Sequence, residues 1–391
     1  MSNRLLLFRD NGKPLVDLNF MGSLPGVCAL TRASSKRAFN ASGVLAEVAA
    51  NNPAFEYDPV TNGIRGLLLE GQSTNALTYS QNLSAGWTRG TGATYTDSQA
   101  SPDGENNAVL VTGLNGTSIG ATEATVYKSS VPIAEGVIYT VSVFARLQSA
   151  TSNKFKIRIR SASPTYNYYS ADTTLSTTNW TRISVTFTAP AGEASAFILF
   201  GSTGSMNVYL YGAQFEAAPA ASSYIPTTGA AVTRAADSLL VTSLPWFSAS
   251  KGTFAATFMT DYTPPTGCYP ALATFSDGTS NNRLKINIDP GSALAGAVTT
   301  GGTLQANPSS GTLALNAVQK LAMRYKTDDV ALSGNGAAAG ADTSASMPTG
   351  ISQLELGGFG GTATQAFKGY LRRFRYWNYG LANATLQKVT Q

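Results

Sequence analysis

Apolar and polar residues alternate along several short stretches in the first half of the chain. Alternation with a period of two is typical of half-buried β-strands. The clearest stretches are YTVSVFARL (139–147), KFKIRIRS (154–161), TRISVTFTAP (181–190) and VYLYGAQFE (208–216). Strands of this length, separated by turn residues, predict an antiparallel β-sandwich of the jelly-roll type over residues 76–219.

The alternation begins again after about residue 240 and continues almost to the C-terminus. The stretches are GTFAATFMTDY (252–262), RLKINID (283–289), KLAMRYK (320–326), QLELGG (353–358) and GYLRRFRYW (369–377). They predict a second antiparallel sandwich over residues 240–391. Only the tail, LANATLQKVT (381–390), has a helical pattern.

Residues 1–75 have little periodic pattern beyond one predicted strand in PLVDLNF (14–20). A segment this long without its own core needs another surface, either the later domains or a neighbouring subunit. Residues 220–239 lie between the two sandwiches and have the composition of an extended connector. The predicted fold is therefore all-β, with two antiparallel β-sandwich (jelly-roll) domains preceded by an extended N-terminal anchoring segment.

The amino-acid composition excludes several kinds of catalytic and metal-binding site. The chain has no histidine, which excludes Ser-His-Asp and Cys-His catalytic arrangements and imidazole metal sites. Its two cysteines, Cys28 and Cys268, have no metal-ligand spacing and are predicted to be buried free thiols. Neither a cofactor nor a metal is expected.

The net charge of +5 is small for 391 residues, so no nucleic-acid partner is expected. No apolar stretch reaches the 18 residues of a membrane span, and the apolar run in MSNRLLLFRD (1–10) is too short for a signal peptide. We therefore expect synthesis in a cytoplasm and no membrane insertion.

Residues 32–77 contain three short elements: RAS at 32–34, NNPAFEYDP at 51–59 and GLLLEGQSTNAL at 66–77. This segment resembles one found in bacteriophage virion proteins, especially fibres and other surface appendages. Ala54 occupies the place of the usual arginine, so no role of that arginine carries over.

Two further segments carry a resemblance. Residues 179–237, which end in SSYIPTTGAAVTRAAD, resemble the closing half of a carbohydrate-binding-module-like jelly roll from the same proteins. Residues 369–390 are similar to the end of concanavalin A-like, laminin-G-like lectin sandwiches. The resemblance implies a carbohydrate-binding-module-like jelly roll over 76–219, an ordered connector over 220–239 and a lectin sandwich over 240–391.

Catalysis is not expected, because glycoside hydrolysis needs two carboxylates at a defined separation. The second sandwich has one glutamate, Glu355, and lacks the ExDxxE run of glucanases with the concanavalin A-like fold. The oxygens of Asp277, Asn281, Asn282 and Asp289 are suited to calcium, but no spaced ligand loop is visible, and solvated turn residues are the favoured interpretation.

Aromatic side chains that can stack on sugar rings lie in two short segments. We predict glycan contacts by Tyr166, Asn167, Tyr168 and Tyr169 in PTYNYYSAD (164–172), and by Tyr262 and Tyr269 in DYTPPTGCYP (261–270). Tyr166 and Tyr168 share a face if the segment is extended. Strand-edge packing and a subunit interface are the alternatives, since tyrosine is common in both.

Basic side chains alternate with apolar ones in KFKIRIRS. The stripe comprises Lys154, Lys156, Arg158 and Arg160. A solvated sheet face is the default interpretation. A subunit or partner contact and an anionic bacterial polysaccharide are the alternatives.

Together these features predict a non-enzymatic bacteriophage virion structural protein, specifically a tail-fibre or spike adhesin that binds host surface glycan. A capsid-decorating or head-fibre protein acting through subunit interfaces is the alternative, and a polysaccharide depolymerase is less favoured. The resemblance implies a location on the virion surface, at the tail or capsid exterior, after synthesis in the bacterial host cytoplasm. Other virion proteins and sister subunits in a homotrimer would be its partners, together with host cell-surface polysaccharide.

Overall fold

A computed structural model describes residues 12–116, 124–150, 154–161 and 166–391. Nearly all regular structure in these ranges is antiparallel β-sheet, which confirms the predicted all-β class. The apolar run at the N-terminus lies outside the described residues. Within them, no helix has the length and apolar character needed to cross a bilayer.

The N-terminal segment contains short strands. They are β1 (Val16–Asn19), β2 (Ala29–Thr31), β3 (Lys36–Phe39), β4 (Leu45–Val48), β5 (Phe55–Tyr57), β6 (Ile64–Leu69) and β7 (Ser73–Asn75). Strands β3 and β4 form a hairpin of their own. Val16, Leu18 and Phe20 alternate with polar residues and are buried, as the pattern around β1 predicts.

The next strands form the jelly roll. They are β8 (Thr88–Arg89), β9 (Thr94–Gln99), β10 (Ala108–Gly116), β11 (Val126–Pro132), β12 (Ile138–Ala150), β13 (Lys154–Arg160), β14 (Asn167–Tyr169), β15 (Thr173–Thr174), β16 (Thr181–Thr188) and β17 (Ser195–Glu216). The long strand β17 takes part in two layers. Its first half pairs with β11 and β13, and its second half pairs with β10 and β12.

The remaining elements follow in chain order. They are β18 (Val232–Arg234), β19 (Ser238–Val241), β20 (Lys251–Met259), β21 (Ala271–Ser276), β22 (Arg283–Ile288), β23 (Ala293–Thr300), β24 (Thr303–Ala306), β25 (Ser309–Thr312), β26 (Gln319–Lys326), β27 (Val330–Gly334), β28 (Gly340–Asp342), β29 (Gln353–Leu356), a 3₁₀ turn (Ala363–Gln365), β30 (Gly369–Trp377) and α1 (Asn383–Thr390). The predicted C-terminal helix is therefore present. Its Leu386 packs on Trp377 and on alanines of the neighbouring strands.

Two sheets make up the second sandwich. Sheet I has the order β28-β27-β26-β20-β30-β6-β5, with β1 also on β30. Sheet II has the order β2-β19-β29-β21-β22-β23-β24, with β25 on β23. Aromatic side chains fill the space between them; the ring centroids of Phe254 and Phe275, for example, are 5.2 Å apart.

Strands of the N-terminal segment are integral to this second sandwich. Strands β1 and β6 both pair with β30, and β2 pairs with β19. The expectation of a second sandwich built only from residues after 240 is therefore corrected. Leu67 and Leu69 enter its core, whereas Leu68 packs on Ala38 and Ala54 on the other side of β6. Both faces of β6 are buried, so its sequence shows no alternation.

The connector lies against both sandwiches. The ring of Tyr224 is 1% exposed and lies 5.2 Å from the ring of Tyr211 in the jelly roll. Further along, β18 pairs with β7. Arg234 and Asp237 do not pair with each other: Arg234 lies 3.8 Å from Glu70, and Asp237 accepts hydrogen bonds from Arg32 and Lys36.

These charged residues form one buried network. Lys36 Nζ lies 3.0 Å from Glu70 Oε2 and 2.6 Å from Asp237 Oδ2, and Arg32 Nη1 lies 3.0 Å from Asp237 Oδ1. Burial opposes ionisation of Glu70, but Arg234 and Lys36 outweigh it and hold the pKa of this carboxyl below its usual range. The network links the N-terminal segment to the connector beside the junction of the two sandwiches.

Candidate carbohydrate-binding surface

The basic stripe lies on the outer face of β13. Phe155, Ile157 and Ile159 are fully buried in the jelly-roll core. Because side chains alternate along a strand, Lys154, Lys156, Arg158 and Arg160 share the opposite face. Lys156 pairs with Asp172 at 2.7 Å, and Lys154 donates a hydrogen bond to Thr174.

Strand β14 brings two of the predicted glycan contacts to this same face. Tyr169 pairs in register with Arg158, and Asn167 pairs with Arg160. Arg158 donates from Nε and Nη2 to Asn167 Oδ1 at 3.0 and 2.6 Å. The Tyr169 ring is 47% exposed, with Lys156 Nζ 5.7 Å and Arg158 Cζ 5.4 Å from its centroid. Asn167 and Tyr169 thus join the basic stripe.

Further aromatic side chains continue the surface onto β17 and β11. Arg160 Cζ lies 4.7 Å from the centre of the Phe197 ring, which is 6.4 Å from the Tyr127 ring. We call this surface the basic–aromatic face; it consists of Tyr127, Lys154, Lys156, Arg158, Arg160, Asn167, Tyr169 and Phe197. Sequence reasoning missed Phe197 because AFILF (196–200) is apolar at every position, so alternation does not show which residues face outward.

Tyr166 and Tyr168 contribute to a different surface. Their rings lie 5.7 Å apart, and the Tyr168 ring is 5.2 Å from the buried Phe187 ring. Both tyrosines are half-buried against the jelly-roll core, and Tyr168 OH donates to Thr188 O at 3.2 Å. The predicted cluster is therefore divided between two faces. Pro164 and Thr165 of the same segment lie outside the described residues.

The remaining predicted tyrosines belong to the second sandwich. Tyr262 is only 8% exposed, and burial raises the pKa of its hydroxyl. Tyr269 is 43% exposed, and Lys285 Nζ lies 5.8 Å from its ring centroid. Tyr269 thus remains available to a ligand, whereas Tyr262 presents little surface.

Beneath Tyr269, sheet II carries a row of buried polar residues that the sequence did not reveal. Thr274 on β21 pairs in register with Lys285 on β22 and with Glu355 on β29, which places all three on one face. Burial, assisted by Arg283, lowers the pKa of Lys285 to about 8. Burial also raises the pKa of Glu355, which accepts a hydrogen bond from Gly360 N at 2.8 Å. From alternation alone these positions are expected to face solvent.

The acidic residues considered for calcium occupy turns. Asp277 accepts hydrogen bonds from Thr279 and Asn282, and Asp289 accepts one from Asn287. In the ranges that the structure describes, no three histidine, cysteine or acidic side chains cluster as a metal site. Cys28 and Cys268 are free thiols, as predicted, but both are half-buried and not fully buried. Partial burial raises the pKa of Cys28 to about 12.

Comparisons with solved structures found similarity over part of the chain. The CBM40 module of a Ruminococcus gnavus IT-sialidase shares 17% identity over 37% of this chain and 84% of its own length, with a TM-score of 0.31. The CBM22-1 xylan-binding domain of Paenibacillus barcinonensis Xyn10C shares 14% identity over 38% of this chain and 95% of its own length, with a TM-score of 0.28. No curated protein sequence matches the chain. Residues 72–204 match the family described as carbohydrate binding domain.

Proposed function

We propose that the protein binds glycan through its jelly roll and that the basic–aromatic face makes the contact. The observation that carries the proposal is the match of residues 72–204 to a carbohydrate-binding domain family. The face lies on strands that this match includes.

The chemistry of the face supports this role. Sugars present apolar C–H groups that pack on aromatic rings, and the exposed Tyr169 ring offers such a platform. Amide and guanidinium groups beside it, from Asn167 and Arg158, supply hydrogen-bond donors for hydroxyl groups. The surrounding lysines and arginines favour a glycan that carries negative charge.

A glycan-binding assay tests the proposal directly. The full chain is applied to an array of bacterial capsular polysaccharides and lipopolysaccharide O-chains, alongside Tyr169→Ala and Arg158→Gln variants. Tyr379→Ala is the matched control, because Tyr379 is 39% exposed and belongs to the second sandwich. We expect binding that falls at least tenfold in the first two variants only. Absence of binding to every glycan, or an equal loss in the control, contradicts the proposal.

We further propose that the protein is a non-enzymatic component of the bacteriophage virion surface, acting as a tail-fibre or spike adhesin. Support comes from the resemblance of residues 32–77 and 179–237 to phage appendage proteins. The alternative of a capsid-decorating protein rests on the same resemblance. A depolymerase has less support, because the second sandwich lacks the ExDxxE run.

Location and assembly need separate experiments. Gold-labelled antibody on intact particles should mark the tail if the adhesin proposal is right, and labelling of the head alone favours decoration. Light scattering of the purified chain tests the proposed homotrimer, which a monomeric mass contradicts. Release of reducing ends from host polysaccharide would overturn the non-enzymatic assignment.

A further inference from the structure

A cavity of about 400 Å³ lies where the N-terminal segment, the jelly roll, the connector and the second sandwich meet. Small-molecule sites commonly occupy such junctions and have volumes of about 300–1,000 Å³. Four parts of the chain contribute walls, among them Glu56, Trp180, Ser222 and Tyr370. The cavity is separate from the basic–aromatic face, to which none of its lining residues belongs.

The most informative wall residue is Arg182 on β16. Its Nη1 donates to Ser222 O at 2.5 Å, its Nη2 donates to Ser142 Oγ at 3.0 Å, and its Cζ lies 5.2 Å from the Phe144 ring centroid. Its Nε is buried without a hydrogen-bond partner. Among the described residues, no carboxylate forms an ion pair with it. A fixed guanidinium with an unused donor is suited to an anion.

The other cations that line the cavity already pair with carboxylates, among them Arg37 with Glu47 at 3.4 Å. Glu70, the lining carboxylate held in its charged form, pairs with Lys36. Arg65 pairs with Asp58 at 2.8 Å, and Lys368 pairs with Asp261 at 2.5 Å. Burial raises the pKa of Glu56 to about 8, so this carboxyl is largely protonated at neutral pH. Arg182 is therefore the lining cation that no described carboxylate contacts directly, because Glu216 and Glu70 act on it only from beyond ion-pair distance.

Aromatic rings in the walls favour a ligand with an apolar face. Trp180 is half-buried beside Phe39 and Phe144. Tyr370 also lines the cavity, and Arg65 Cζ lies 5.6 Å from the centroid of its ring. The Trp180 indole and the Arg182 guanidinium both line the cavity, and together they suit a sugar ring that carries a carboxylate. We propose that this cavity binds an acidic saccharide residue, with its carboxylate on Arg182 and its ring against Trp180.

The test compares two sugars that differ only at C6. Binding of D-glucuronic acid and D-glucose to the full chain is measured by saturation-transfer NMR and calorimetry. We expect glucuronic acid to bind at least tenfold more tightly than glucose, since a charge-assisted hydrogen bond distinguishes them. Arg182→Gln should remove that preference. Equal affinities for the two sugars, or no binding of glucuronic acid, would overturn the proposal.

A second variant avoids disturbing the buried arginine. Val60 lines the cavity and is 59% exposed, so Val60→Trp should obstruct the mouth and abolish binding of glucuronic acid. Leu304→Trp is the matched control, because Leu304 is 58% exposed on β24 and does not line the cavity. Unchanged binding in Val60→Trp contradicts the cavity site.

The Tyr169→Ala variant separates this site from the basic–aromatic face. It should leave glucuronic acid binding unchanged, whatever its effect on the glycan array. Loss of glucuronic acid binding in Tyr169→Ala, with retention in Val60→Trp, would assign the sugar to the basic–aromatic face and overturn the cavity proposal.

Discussion

The ammonium nitrogen of Lys36 lies 2.6 Å from Oδ2 of Asp237, across 201 positions of sequence, and both side chains are at most 1% exposed. The same carboxylate accepts hydrogen bonds from Arg32 Nη1 and from the backbone N–H of Glu70. A carboxylate with this many donors neutralises two buried cations at once. Removing its charge leaves Arg32 without a carboxylate partner and Lys36 with Glu70 alone, and an uncompensated buried charge costs more than the pair itself stabilises.

Asp237→Asn should therefore lower the free energy of unfolding by about 3–5 kcal/mol. Urea denaturation followed by tryptophan fluorescence measures the change. The control is Asp17→Asn, which breaks an exposed ion pair with Arg373 and should cost at most about 1 kcal/mol. Similar losses in the two variants would show that the buried network has no special role.

Tyr168 and Tyr169 are adjacent in sequence but should respond differently to truncation. Tyr168→Ala removes a ring that packs on Phe187 and should lower stability by about 2 kcal/mol. Tyr169→Ala removes an exposed ring and should change stability by less than about 0.5 kcal/mol. Thermal unfolding of both variants measures the difference, and a larger loss in Tyr169→Ala would contradict the assigned faces.

Glu56 should make stability depend on pH. Its folded-state pKa of about 8 exceeds the ordinary value of 4.5, so the folded state holds a proton that the unfolded state releases between these two values. Stability should fall by a few kcal/mol as pH rises through this window and should change little above it. Glu56→Gln cannot release a proton and should abolish this component.

The measurement is the difference in unfolding free energy between the wild type and Glu56→Gln at intervals from pH 4 to pH 9. Glu47→Gln is the control, because the Glu47 side chain is 56% exposed. A difference that does not vary with pH would show that Glu56 titrates normally in the folded protein.

Lys285 should make stability depend on pH in the opposite direction to Glu56. Its folded-state pKa of about 8 lies below the ordinary 10.5, so charging it in the folded protein is unfavourable at neutral pH. Lys285→Met should therefore raise stability by about 1–3 kcal/mol at pH 7, and the gain should shrink as pH rises from 8 towards 10.5. Calorimetric unfolding at pH 7 and pH 10 checks this, with the exposed Lys251→Met as control. A gain that is equal at both pH values contradicts the assignment.

The alternation of apolar and polar residues was sufficient to predict many of the individual strands and the all-β class of the fold. Phe155, Ile157 and Ile159 alternate with basic residues, and the structure buries all three. The short helix at the C-terminus was also predicted. These features depend on the periodicity of side-chain directions, which nearby residues alone determine.

The division of the four-residue cluster 166–169 was only partly predictable. Alternation places Tyr166 and Tyr168 on one face and Asn167 and Tyr169 on the other, but it does not reveal which face is buried. The register of β14 on β13 decides this, since it aligns Tyr169 with Arg158 and Tyr168 with Ile159. Register between strands is a tertiary property that a segment of three residues does not encode.

The sequence by itself determined that the chain is all-β, that residues 76–219 and 240–391 are rich in strands, and that histidine chemistry is absent. Only the tertiary structure decided that β1, β2 and β6 complete the second sandwich, that Lys36 meets Asp237, and that Arg182 lines a cavity. The strand pairings and the Lys36–Asp237 pair join residues separated by more than a hundred positions, and Arg182 meets residues about 40 positions away. These contacts gain their free energy from burial, hydrogen bonding or charge pairing that exists only after the chain has packed.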